Sequence, residues 1–169
     1  MQKIAFLVGL AAVVLYLLGY LQKKRMHIIF LNASSRFLYI VQYALLGAFE
    51  GAVLDIAGII SSLLAPLKKY VFVRKHTLLF VVVLDLLIVA VGLSLYENIF
   101  SLFPIIGVIL HTSAFWIDDE KWIRRVSMLG SPFWLVYNFV SGAYGSCIGD
   151  VLSMVSIGIS MVRYDWKKK

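Results

Sequence analysis

Apolar residues fall in seven runs of about twenty, separated by short clusters of polar and charged residues. A helix rises 1.5 Å per residue, so about 20 apolar residues cross a hydrocarbon layer some 30 Å thick. By that length the runs predict membrane helices over 4–22, 28–48, 51–67, 77–96, 99–117, 122–141 and 144–163. The second run is the most polar, carrying Asn32, Ser34, Ser35, Arg36 and Gln42. Asp55, Asp85, His111, Asn138 and Asp150 interrupt the others. The turns at Phe49 and Glu50 and at Gly142 and Ala143 are so short that their flanking helices must form tight antiparallel pairs. Lys23, Lys24 and Arg25 follow the first run instead of preceding it, the reverse of a cleaved signal peptide, so this run is expected to be retained.

Composition agrees with the pattern. The 169 residues are 62% hydrophobic and 15% charged, against about 25% charged in a soluble domain, which gives the membrane class. The single Cys147 excludes a disulfide framework within one chain. A net charge of +7 would suit a nucleic-acid partner if it formed one patch, but the basic residues lie in loops between apolar runs, so no nucleic acid is expected. Lys23, Lys24, Arg25, Lys68, Lys69, Arg74, Lys75, Lys121, Arg124, Arg125, Arg163 and Lys167, Lys168 and Lys169 fall on one side, against Lys3 on the other. The positive-inside rule then puts the amino terminus outside and the carboxyl terminus in the cytoplasm.

The chain also matches itself. Shifted by 95 positions without a gap, residues 36–65 lie over 131–160, placing Tyr39 on Trp134, Gly47 on Gly142, Ala48 on Ala143, Phe49 on Tyr144, Asp55 on Asp150 and Ser61 on Ser156. Upstream, Gly9 falls on Pro104, Tyr16 on His111 and Asn32 on Ser127. The expected fold is an all-α membrane protein of seven transmembrane helices. Residues 1–70 form one three-helix repeat, 71–97 a linker helix, and 98–169 a second repeat ending in a short basic tail. The linker makes the repeats parallel, related by an axis along the membrane normal.

Leu102, Phe103, Pro104, Ile105, Ile106 and Gly107, with Trp134, Asn138, Gly142, Gly145, Asp150 and Arg163, resemble the bacterial inner-membrane family labelled YgjV. The resemblance covers most of the chain and is closest over 101–163. The 3+1+3 layout is also similar to SWEET sugar carriers and to the vitamin carriers for nicotinamide riboside and thiamine. In SWEETs an Asn of the third helix of each repeat faces the substrate, and Asp55 and Asp150 would occupy those positions. The chain departs from that pattern in lacking a Pro-Gln dipeptide and in having Gly9 opposite Pro104, which argues against a proline hinge in the first repeat.

An ionisable group inside a span costs about 2.5–3.5 kcal/mol on insertion scales, which marks it as a candidate for function. Asp55 and Asp150 are expected to face each other and to hold a cation, sugar hydroxyls or a heterocycle N–H, or to exchange a proton; capping their own helices is the structural alternative. Trp134 and Tyr39 would stack on a flat ring, and Asn138, one turn from Trp134, would add an amide. His111 is either a relay or a hydrogen-bonded core residue. Arg36 and Asp85 lie at similar depth and are expected to form a buried ion pair. Gly47 with Gly51, and Gly142 with Ser146, fit close helix contacts between small residues.

No motif for catalysis, a cofactor or a metal is present. The expected function is a small transporter for a polar metabolite, such as a sugar or vitamin-like nucleoside, working by alternating access in the bacterial inner membrane. The alternative is a non-transporting scaffold or a subunit of a larger membrane complex. The expected partners are the substrate and lipid, and a homo-oligomer is compatible with either reading.

Overall fold

The structure, a computed structural model, describes residues 2–166, so the basic residues 167–169 of the expected tail lie outside the described residues. The described residues form α1 (Gln2–Tyr20), α2 (Arg25–Leu46), α3 (Phe49–Leu64), a short α4 (Val71–Lys75), α5 (Thr77–Ser94), α6 (Leu102–Phe115), α7 (Glu120–Val140) and α8 (Tyr144–Ser160). Two 3₁₀ turns, Ala65–Lys69 and Ile99–Ser101, and a π-helical extension, Met161–Trp166, complete them.

Among the described residues, five stretches are long and apolar enough to cross a membrane: Gln2–Gly19, Arg25–Leu46, Phe49–Lys69, Thr77–Ser94 and Tyr144–Asp165. The other two expected spans are of a different kind. The 14 residues of α6 reach only about 21 Å. At 21 residues α7 is long enough, but its first two turns carry Glu120, Lys121, Arg124 and Arg125.

Solvation in lipid explains how the helices bury their faces. Along α2, Phe30 and Phe37 point outward at 67% and 62% exposure, whereas Arg36 beside them is 3% exposed. Asn32, Gln42, Asp55, His111, Asn138 and Asp150 are buried as well, while Leu78, Leu79, Leu86 and Leu87 of α5 face out. This apolar exterior around a polar interior suits a bilayer, where a polar group must find its partner inside the protein.

Packing joins the helices into two triplets. In one, α2 packs on α1 and α3; in the other, α7 packs on α6 and α8. The triplets meet through α1 with α8 and through α3 with α6, and α5 packs on α3 and α6. Contacts gather the loops at two ends. At the basic end, Arg25 donates to the Phe115 carbonyl, Lys68 donates to the Trp116 carbonyl and to Asp118, and Arg124 pairs with Asp165. At the other end, one cleft is lined by residues around the turn at Gly47 and Ala48, by Glu97 and Asn98, and by Ser141.

The two tight turns share one geometry. Gly47 and Gly142 have φ of 76° and 72°. The Ala48 amide donates to the Tyr43 carbonyl (3.0 Å) and that of Ala143 to the Asn138 carbonyl (2.9 Å). With the shorter-range bonds from Gly47 to Ala44 and from Gly142 to Phe139, each turn is a Schellman cap. A Cβ at either glycine would meet nothing within 4 Å. The backbone conformation, not the close helix packing expected at Gly47 and Gly142, therefore requires glycine there.

Candidate functional site

The two triplets enclose a cavity lined by Tyr16, Arg36, Tyr39, Tyr43, Asp55, His111, Trp134, Asn138 and Asp150. All six residues expected to bind substrate are among them, as is Arg36. The free volume is about 20 Å³, room for about one water molecule.

Each acid is held by the middle helix of its own triplet. Arg36, on α2, donates through Nη1 to Asp55 Oδ1 at 2.6 Å, with both side chains only 4% exposed. Its Nε donates to Asn32 Oδ1 at 3.0 Å. Asp150 on α8 instead accepts from Asn138 Nδ2 of α7 at 2.8 Å, and Asn138 Oδ1 accepts from Tyr43 at 2.7 Å. Among the described residues no ion pair involves Asp150.

The expected Arg36–Asp85 pair does not form. Asp85 accepts from Ser113 of α6 at 2.9 Å and is part-buried. Depth along the membrane normal suggested the pair, but rotation about the helix axis decides it. On α5, which packs on α3 and α6, Asp85 faces α6; Arg36 sits beside α3, joined to α2 by the turn at Gly47.

Aromatic rings supply the remaining walls. Tyr43 and Trp134 stack with centroids 6.3 Å apart and planes 18° apart, and Tyr137 meets both edge-on. The indole fits because Gly107 has no side chain, since a Cβ there would sit 2.7 Å from Trp134 Cδ1. His111 lies against Gly130, with Nε2 2.9 Å from the Ser127 carbonyl and Nδ1 3.5 Å from the Tyr16 hydroxyl. A carbonyl only accepts, so the ring proton is on Nε2 and Nδ1 faces the Tyr16 hydroxyl.

Several contacts across the cavity obey the 95-residue offset. Tyr16 meets His111, and Tyr43 meets Asn138, each 95 positions apart. The Gly51 amide donates to the Tyr137 hydroxyl at 2.9 Å, and the Ser146 hydroxyl donates to Gln42 Oε1 at 2.6 Å. Shifting Gly51 and Gln42 by 95 gives Ser146 and Tyr137, so these two bonds are one contact made twice. Tyr43, Gln42 and Tyr137 were missed as contact residues because none carries a charge and none is matched in type across the repeat, as Tyr39 and Trp134 are. The offset itself would have found Tyr43, which lies over Asn138.

Comparison with known proteins adds a family. The sequence model of the YgjV family, described as bacterial inner membrane protein, matches residues 3–168. The inner membrane protein YgjV of Escherichia coli (strain K12) is similar at 22% identity over 127 residues. That match covers 75% of this chain and 65% of the relative, so the chain spans less than two thirds of the relative's length. No solved structure matches.

Proposed function

The chain belongs to the YgjV family of bacterial inner membrane proteins, and from that premise we propose that it is a small permease for a polar metabolite. Its seven helices would then cross the membrane as two parallel triplets, α1–α3 and α6–α8, joined by α5 in the SWEET-like 3+1+3 plan. The amino terminus would lie outside and the carboxyl terminus in the cytoplasm, following the distribution of Lys and Arg. Alternating access would come from rocking one triplet against the other.

One observation carries the reading: Arg36, Asp55 and Asp150 converge on one interior cavity where the triplets meet. Three ionisable groups inside the bilayer are costly to insert, and a substrate pathway is the usual reason such groups are kept. Asp55 and Asp150 would bind the solute or a coupling ion. Trp134, Tyr39 and Asn138 would shape the pocket, and His111 would hold its wall against Tyr16. The cavity of about 20 Å³ is then a closed state that widens when the triplets part.

A scaffold role has its own support, because the same small volume and the bonds among Arg36, Asp55, Tyr43, Asn138 and Asp150 would serve equally to lock helices together. Uptake separates the two. Purified protein in proteoliposomes should accumulate a solute chosen by a thermal-stability screen of sugars, nucleosides and amines, and Asp150→Asn should abolish uptake while the protein elutes as a folded species. If no compound raises the melting temperature and no solute enters, the permease reading is lost and the scaffold stands.

A further inference from the structure

We infer that the cavity between the triplets takes an organic monocation: a primary or quaternary ammonium, or an N-alkylated heteroaromatic ring. The inference rests on the permease reading and names the solute class for that site.

Charge comes first. With both acids ionised and His111 neutral, Arg36, Asp55 and Asp150 give the lining one excess negative charge. Arg36 is committed to Asp55 and Asn32. Asp150, 8% exposed, is held by the amide of Asn138 and by no cation among the described residues. A carboxylate in an apolar surround without a counter-charge is costly, so Asp150 is ionised only when a cation takes the place of its proton. An entering monocation would neutralise the site, whereas an anion would double the imbalance and a neutral polyol would leave it.

The walls then choose among cations. Tyr16, Tyr39, Tyr43 and Trp134 line the same space, and the faces of Tyr and Trp attract ammonium and guanidinium-like groups within about 6 Å of the ring centroid. A bare metal ion wants a shell of oxygens around it. Much of this wall is ring carbon, which suits an organic cation that arrives already shed of most of its water.

One of two clefts at the far end has the same sign; the other, of about 530 Å³, is lined by Lys3. At the end opposite the basic clusters, a cleft of about 330 Å³ is lined by Glu50 and Glu97 and by no Lys or Arg. Tyr137 lines that cleft and packs on Tyr43 and Trp134 of the inner cavity, so its ring separates the two. Acidic walls over a low-dielectric floor concentrate cations at the mouth.

The test measures thermal stability of the full purified protein in detergent, with N-methylpyridinium, choline, glucose, benzoate, and sodium chloride against potassium chloride at one ionic strength. An organic cation at a hundredfold excess over Kd should raise Tm by about 5–10 °C, and glucose, benzoate and sodium should not. Asp150→Asn should remove that shift. In case Asp150→Asn does not fold, Trp134→Phe keeps a ring and should weaken N-methylpyridinium about 3–30-fold.

A shift with glucose or benzoate but with no cation overturns the inference and leaves the permease reading intact. A shift with sodium alone, or an unchanged cation shift in both variants, overturns it too. No shift with any probe, together with no uptake into proteoliposomes, sinks both.

Discussion

Asp55, not Asp85, should be the acid on which Arg36 depends for stability. The bond between Arg36 Nη1 and Asp55 Oδ1 is 2.6 Å long and both side chains are 4% exposed, so removing either partner strands a buried charge. That costs about 3–5 kcal/mol, which changes the unfolding equilibrium by roughly 10²–10⁴-fold. Arg36→Met and Asp55→Asn should each fall in this range, and the double variant should recover much of the loss because no charge is then left alone. The coupling energy from the cycle should be well above 1 kcal/mol. Asp85→Asn changes a part-buried group with one hydrogen bond to Ser113, worth about 0.5–1.5 kcal/mol, and should add to Arg36→Met without coupling. Equilibrium unfolding in mixed micelles, followed by tryptophan fluorescence, would measure all five variants against wild type. If Arg36→Met costs less than about 1 kcal/mol, as an exposed pair would, or if it couples to Asp85 and not to Asp55, the geometry given for this pair is incorrect.

Three further outcomes follow from single contacts. Tyr43→Phe removes the hydroxyl that donates to Asn138 at 2.7 Å; the unsatisfied amide oxygen should cost about 1–3 kcal/mol in the same unfolding assay. Gly142→Ala forces a side chain to adopt a φ of 72° and should destabilise by about 1–2 kcal/mol, with Gly47→Ala matching it because the two turns are alike. Asp118→Asn breaks the Lys68 and Arg25 pairs at the basic end, but Asp118 is 71% exposed there, so stability should fall by less than about 1 kcal/mol and the difference should fade in high salt.

Much of the site was legible in the sequence because the repeat does the work of an alignment. Two acids at one offset, with an aromatic pair and a Gly-Ala turn at the same offset, can be read from one chain. Asp55, Asp150, Tyr39, Trp134, Asn138 and His111 do line one cavity. What the pattern could not supply was rotation about each helix axis. Depth along the membrane comes from counting residues, but Arg36 finds Asp55 because α3 is its neighbour, and Asp85 finds Ser113 because α5 leans on α6. The same gap explains Gly47 and Gly142, whose spacing from Gly51 and Ser146 suggested packing when their positive φ is what the turn needs. Helix character was also only partly legible. Apolar length found α6 and α7, but not that one would be 14 residues long and the other charged over its first turns.

The contacts across the cavity show where symmetry is kept and where it is given up. In an arrangement with twofold symmetry, a residue near the axis meets its own equivalent and any off-axis contact occurs twice. Tyr43 with Asn138 and Tyr16 with His111 are of the first kind, and the bonds from Gly51 to Tyr137 and from Ser146 to Gln42 are of the second. The residues so matched are not identical, and the one difference of charge in the cavity lining lies beside them. Arg36 corresponds to Ser131, whose hydroxyl donates to its own helix at the Ser127 carbonyl, so the cation that neutralises Asp55 has no counterpart beside Asp150. Asn138 takes its place, an amide where the first triplet has the Tyr43 hydroxyl. A framework of two matched halves therefore carries one acid with a cation beside it and one with an amide in the cation's place. That asymmetry is why Asp150 is the residue on which a binding experiment should turn.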